Sequence, residues 1–318
     1  MSSRVLRLAS TLALFAMSTL AGVAGAQPPV YVTQWGSYGT GDGQFNGPYG
    51  VATSASGNVY VADRSNYRVQ VFTSSGAFVT KWGSFGSGNS QFVETDDVAI
   101  DPVGNVYVAD ANIAQIKKFT SSGTYITKWN SAARAGDLAI DAAGNVYACG
   151  SFAVEKYTGS GTLLTQWGTG GLGNGQFQYA NGIAVDAASN VYVADTYNDR
   201  IQKFTSTGTY LTQWGTSGSG DGQFNRPQGV AVDAAGNVYV ADTYNHRMQM
   251  FTSSGAFLVR WGTAGSGNGQ FQYPSDVWVH ADYSVYVGDV NNSRIQKFSA
   301  ATTPTERTTW GRVKRLYR

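Results

Sequence analysis

The chain has 318 residues, of which 42% are apolar, enough to fill a large buried core. Charged residues make up 13%, about half the ~25% of an average globular protein, and the formal net charge is only +2. A single cysteine, Cys149, excludes an internal disulfide framework and most cysteine-based metal sites.

Residues 1–26 read as a secretory signal peptide. Arg4 and Arg7 form a basic start, Leu8 to Leu20 a short apolar run, and Ala24-Gly25-Ala26 a small-x-small cleavage site. We therefore expect a protein that is secreted, or held in the periplasm or cell envelope. No other stretch could span a bilayer, so stable membrane insertion is not expected. Without this segment the chain carries 20 basic and 20 acidic residues. The tail, 301–318, holds Arg307, Arg312, Lys314, Arg315 and Arg318, so residues 27–305 keep 15 basic against 19 acidic residues, a net of −4. A phosphate-binding surface needs a clustered basic field, so nucleic acid is not an expected partner.

Residues 27–300 are repetitive. Trp35, Trp82, Trp129, Trp167, Trp214, Trp261 and Trp310 are 47, 47, 38, 47, 47 and 49 residues apart. Tyr60, Tyr107, Tyr147, Tyr192, Tyr239 and Tyr286 mark six copies independently. A period of this length signals a repeat architecture. The clearest copy runs GVAVD (229–233), turn, NVYVAD (237–242), loop, RMQMF (247–251), turn, AFLVRW (256–261). Short β-branched and aromatic runs between Gly, Asn and Ser turns read as four antiparallel strands, here a to d from the axis outward. Four strands per copy, repeated radially, make a six-bladed, all-β propeller. Residues 30–35, VYVTQW, precede any strand a and match the d strand at 209–214. They are expected to pair with 294–298 and close the ring, removing free edges; the alternative partner is 305–310.

The third copy deviates. Trp129 to Asp137 spans eight residues where Trp82 to Asp97 spans fifteen, and Tyr147 to Trp167 is two shorter than Tyr239 to Trp261. The losses fall in the d-to-a and b-to-c loops. Those loops share one face of a propeller, the top, so the sequence predicts a notch in the top rim.

Residues 227–251 closely resemble the NHL repeat, P-x-G-V-A-V-D-x-x-G-N-V-Y-V-A-D-x-x-N-x-R-I-Q-x-F, with Met248 and Met250 as departures. The resemblance extends over about residues 30–300. It implies the propeller fold. Family members include RNA binders, ubiquitin-ligase substrate domains, sensor ectodomains and a distant amidating lyase, so it implies little about activity. That lyase uses a His-based zinc site. This chain has only His246 and His280, and no nucleophile with a matching base stands out.

Repeated Asp residues read as structural. Asp63, Asp110, Asp195, Asp242 and Asp289 end strand b, where Arg68, Arg200, Arg247 and Arg294 can pair with four of them. Asp101, Asp141, Asp186 and Asp233 precede a turn that they are expected to cap. The first position of strand a alternates Gly50, Gly182 and Gly229 with Asp97, Asp137 and Asp276. Three carboxylates at a channel mouth are a candidate Ca²⁺ site; the competing reading is a cap on strand a. The residues that vary between blades on the top face are the candidate binding set: Tyr67, Tyr197, Asp199, Tyr244, His246, Arg226 and Tyr273. Tyr-rich loops with scattered Arg are typical of binding faces. The expectation is a monomeric, non-catalytic scaffold that binds a protein, peptide or envelope glycan and needs no cofactor other than the candidate Ca²⁺. The rivals are a metal-dependent lyase or lactonase and an RNA-binding domain.

Overall fold

The computed structural model describes residues 26–299. The expected signal peptide (1–26, but for its last residue) and the basic tail (301–318) lie outside the described residues.

Six four-stranded antiparallel sheets form a closed propeller. Blade five, for instance, comprises Val230–Val232, Val238–Asp242, Arg247–Phe251 and Phe257–Trp261. Five blades follow chain order. The sixth takes Pro274–Val279, Val285–Asp289 and Arg294–Phe298 from the end of the chain and Tyr31–Trp35 from its beginning. Trp35 lies opposite Ile295 and Gln34 opposite Gln296, so the ring closes as the sequence predicts.

The core lies between the blades. The VYVAD strands are buried on both faces because each is pressed between neighbouring sheets. Phe224, from the loop entering blade five, plugs the junction with Tyr192, Val238 and Phe251. On the outer edge each strand-d Trp covers the c-to-d turn of the next blade. A Cβ on Gly255 (φ +89°) would lie 2.7 Å from the Trp214 ring, so this turn takes only glycine.

The strand-b Asp is a hub for each blade. Asp195 accepts from the backbone of Gln178 (2.7 Å), from Asn198 Nδ2 (2.8 Å), from Arg200 Nε (2.7 Å) and from Gln202 Nε2 (3.1 Å). Arg200 also donates to Gly173 and Gln176 carbonyls, which ties the top loop down. Asp63, Asp242 and Asp289 are the same hub in blades one, five and six. Blade two replaces the Arg by Gln115 and the Gln by Lys117, whose ammonium sits 2.9 Å from Asp110 with both groups fully buried. Blade three has no hub: Glu155 accepts from Ser131 and Tyr157 hydroxyls instead, at 2.7 Å each. Asp101, Asp141, Asp186 and Asp233 cap their turns through the Asn two positions before the strand-b Tyr, and also accept from that Tyr's hydroxyl.

Candidate functional site

On the top face the b-to-c loops turn through a short 3₁₀ segment that ends in a left-handed residue. Tyr67, Asp199 and His246 occupy that position, at φ 56°, 50° and 54°. The d-to-a loops have a second left-handed position just before strand a. Blade one fills it with Gly47, whereas blades four, five and six fill it with Tyr179, Arg226 and Tyr273, at φ 66°, 50° and 55°. A left-handed non-glycine residue costs about 1–2 kcal/mol. Three blades thus carry strain to hold a large side chain where a glycine would fit.

These side chains meet. Tyr179 and Tyr197 have ring centroids 5.5 Å apart. The Arg226 guanidinium lies 5.1 Å from the Tyr197 ring and 4.8 Å from the Tyr244 ring, sandwiched between them. Tyr244 meets Tyr273 edge-on at 5.1 Å, and Tyr273 meets His246 at 4.5 Å. The blades are clasped along this line: Asp199 accepts the Arg226 N–H (2.7 Å) and His246 Nδ1 accepts the Tyr273 N–H (3.1 Å). The result is a continuous, exposed aromatic and guanidinium ladder over blades four to six. Six of the seven top-face residues singled out from the sequence belong to it. Tyr67 does not: it packs at 4.9 Å against Phe85, at the junction of blades one and two.

The notch predicted at blade three is present. Its b-to-c connection is reduced to Ser151 and Phe152, and the loop 131–136 lacks the parallel bridge to a Phe found in the other five d-to-a loops. The space left is a cleft of about 280 Å³. Arg64, Glu94 and Asp96 form one wall, Arg134 another, and Tyr179 and Asn181 lie opposite. Arg64 bridges both carboxylates, with Nε 2.9 Å from Asp96 Oδ1 and Nη2 against Glu94. At Asp96 burial outweighs that pull and pushes the carboxyl up to about 7. Tyr49 reaches across the axis at the foot of the cleft. Its hydroxyl donates to Gln228 of blade five (3.0 Å) and accepts from Asn181 of blade four (3.2 Å), and burial pushes it up to about 12.

The NHL repeat model matches residues 45–72, 177–204 and 224–251. This chain carries NHL repeats. Each match runs from the loop Phe to the last residue of strand c, in blades one, four and five. Over 52 residues the chain is 42% identical to B-box type zinc finger protein ncl-1 of Caenorhabditis elegans. That match spans 16% of this chain and only 6% of the relative. Among solved structures, a structural genomics protein of unknown function from Bacteroides thetaiotaomicron aligns at TM-score 0.66 and 17% identity, covering 84% of this chain and 76% of that one. Streptogramin B lyase aligns at TM-score 0.62 and 14% identity, covering 84% of this chain and 97% of the lyase. At such identities these likenesses concern the fold alone.

The three matched blades of the NHL propeller are those with glycine at the start of strand a; the others carry Asp97, Asp137 and Asp276. The structure gathers these three carboxyls around the axis below Tyr49. Each accepts a backbone N–H from strand a of the next blade: Asp97 from Leu138, Asp137 from Ile183 and Asp276 from Val51, all at 2.9 Å. At the other junctions the next blade is too close for a side chain. A Cβ on Gly182 would lie 1.9 Å from the Gln228 carbonyl oxygen. The alternation of Gly and Asp is therefore an interblade fit. Among the described residues no group of three or more His, Cys, Asp or Glu is spaced to hold a metal ion.

Burial and mutual repulsion push Asp97 well above the usual carboxylate range. Burial does the same to Asp276, helped by Asp137, and raises Asp137 to about 6. Unfolded carboxyls ionise near 4. Between that value and the raised folded ones, the folded state binds more protons, so stability falls as pH rises through this window. Asp97→Asn keeps an oxygen acceptor for Leu138 and carries no charge. We expect it to melt about 3–6 °C above wild type at pH 8, from roughly 1–2 kcal/mol, and no higher at pH 4. Equal melting temperatures at pH 8 would show that the Asp97 carboxylate bears no such cost.

Sequence reasoning missed the cleft walls. Glu94 and Asp96 drew notice only as neighbours of Asp97, and Arg64 and Arg134 drew none. The available signal was Arg134 itself, a charged residue retained in a loop that had lost seven others.

Proposed function

We propose that this NHL propeller is a non-catalytic scaffold that binds a protein, peptide or glycan through its top face, at the cell envelope or outside the cell. The observation that carries the reading is the ladder from Tyr179 to His246. Three of its members, Tyr179, Arg226 and Tyr273, hold left-handed backbone positions that Gly47 fills in blade one. Rigid Tyr rings offer large contact area at low entropic cost, and Tyr and Arg dominate binding hot spots.

The competing reading is an enzyme working at the channel mouth. It draws on the fold likeness to streptogramin B lyase and on the three axial carboxyls. Two observations favour the scaffold. Tyr49 crosses the mouth, and the space linking the cleft to the carboxyls is about 10 Å³, room for about one water.

The test is affinity capture from envelope and secreted fractions, with residues 27–318 as bait beside the triple variant Tyr197→Ala, Tyr244→Ala, His246→Ala. The variant is expected to melt close to wild type, since these side chains are exposed. Partners held by wild type should be lost by the variant, from roughly 100-fold weaker binding. Identical retention by both baits would remove the ladder from the function.

A further inference from the structure

The cleft at blade three is chemically unlike the ladder beside it. Its walls carry two guanidiniums, but only one is free. Arg64 is neutralised by Glu94 and Asp96. Arg134 has no carboxylate partner among the described residues; its one hydrogen bond is from Nη2 to the Asn112 carbonyl, at 3.3 Å. It is exposed and held at φ 57° in the shortened loop. A lone planar guanidinium suits one carboxylate, gripped by two parallel N–H bonds.

The other polar groups want donors. Glu94 keeps oxygen capacity beyond its Arg64 contact, and Asn181 has donated its amide to Tyr49, leaving its oxygen towards the cleft floor near Gly136. Carboxylate and amide oxygens around a cavity are complementary to hydroxyl groups. Tyr179 adds an apolar ring face, 46% exposed, on one side. The volume admits a group about the size of one sugar ring and falls below that of common drug-sized pockets. Glu94 and Asp96 in the same walls oppose a chain of phosphates, which needs a uniformly basic track.

We infer that the cleft receives a single carboxylate-bearing sugar residue of an acidic glycan, with its carboxylate on Arg134, its hydroxyls on Glu94 and Asn181, and its ring against Tyr179. This rests on the reading of the top face as a binding surface and names the ligand class. Tyr179 belongs to both cleft and ladder, so flanking sugars of the same chain run on over Tyr197 and Arg226.

The test is calorimetric titration of the full-length protein with tetramers of galacturonate, glucuronate and mannuronate, beside their methyl esters and tetraglutamate. At least one free-acid tetramer should bind, and its methyl ester at least 10-fold more weakly. Arg134→Gln should lose at least 10-fold for the free acid and little for the ester; Tyr244→Ala, outside the cleft, should lose less. Equal binding of acid and ester, or no effect of Arg134→Gln, overturns the inference. Tighter binding of tetraglutamate points to a peptide and overturns it as well. If no tetramer binds while the ladder variant still loses its captured partner, the glycan assignment fails and the top-face reading stands. If neither assay responds, both fall.

Discussion

Asp195→Ala should destabilise the propeller by about 3–5 kcal/mol and lower its melting temperature by roughly 10 °C. The carboxylate is fully buried and accepts four hydrogen bonds from four residues. Its removal strands the buried Arg200 guanidinium without a counter-charge, and that cost exceeds the worth of the ion pair itself. It also frees the Gln178 N–H, which positions the loop carrying Tyr179. Blade three shows that a blade can fold without this hub, but it does so with no Arg left behind: Ala153 stands opposite Gly150. Asp195→Ala combined with Arg200→Ala should therefore recover part of the loss. Denaturant unfolding of the three variants measures this; a single-variant loss below 1 kcal/mol would falsify the hub.

Deleting residues 27–36 should have the larger effect. Tyr31–Trp35 is the fourth strand of blade six, and it ties the first residues of the fold to the last. Its loss exposes the edge of Arg294–Phe298, an unpaired strand that invites association between chains. It removes the 2.6 Å bond from Arg294 to Gln34 and the packing of Trp35 on Phe72 and Tyr286. Truncating one buried Trp alone costs about 3–5 kcal/mol. The shortened chain is expected to form oligomers in size-exclusion chromatography and to lose its cooperative melt. A synthetic peptide of residues 27–36, added in excess, should restore both. A shortened chain that stays monomeric with an unchanged melt would mean that the closure contributes little.

The blades were legible in the sequence because what makes a blade is local. Alternating β-branched and aromatic residues set the strands, Gly-Asn turns set the hairpins, and the Trp period sets the count. The Asp-Asn-Arg hub lies within eight residues of one copy, so its pairing could be read directly. Ring closure followed from the same counting, since the strand without a blade and the blade without a strand occur once each. Loop lengths alone placed the notch, because both shortened loops emerge on one face.

The site was decided by the tertiary structure. Which top-face residues touch depends on how one blade turns against the next, and no local pattern records that rotation. It joins Tyr197 to Arg226 and His246 to Tyr273 across blade boundaries and leaves Tyr67, from the same loop position, apart with Phe85. It gathers Asp97, Asp137 and Asp276 from three blades and hands each an N–H from the next, so a possible cation set is also an interblade clasp. It determines that Arg64 is neutralised while Arg134 is free. The sequence by itself determined the repeating unit, because each unit folds on contacts a few residues apart. Only the closed ring decided the chemistry of its top face, because that chemistry is made of contacts between units.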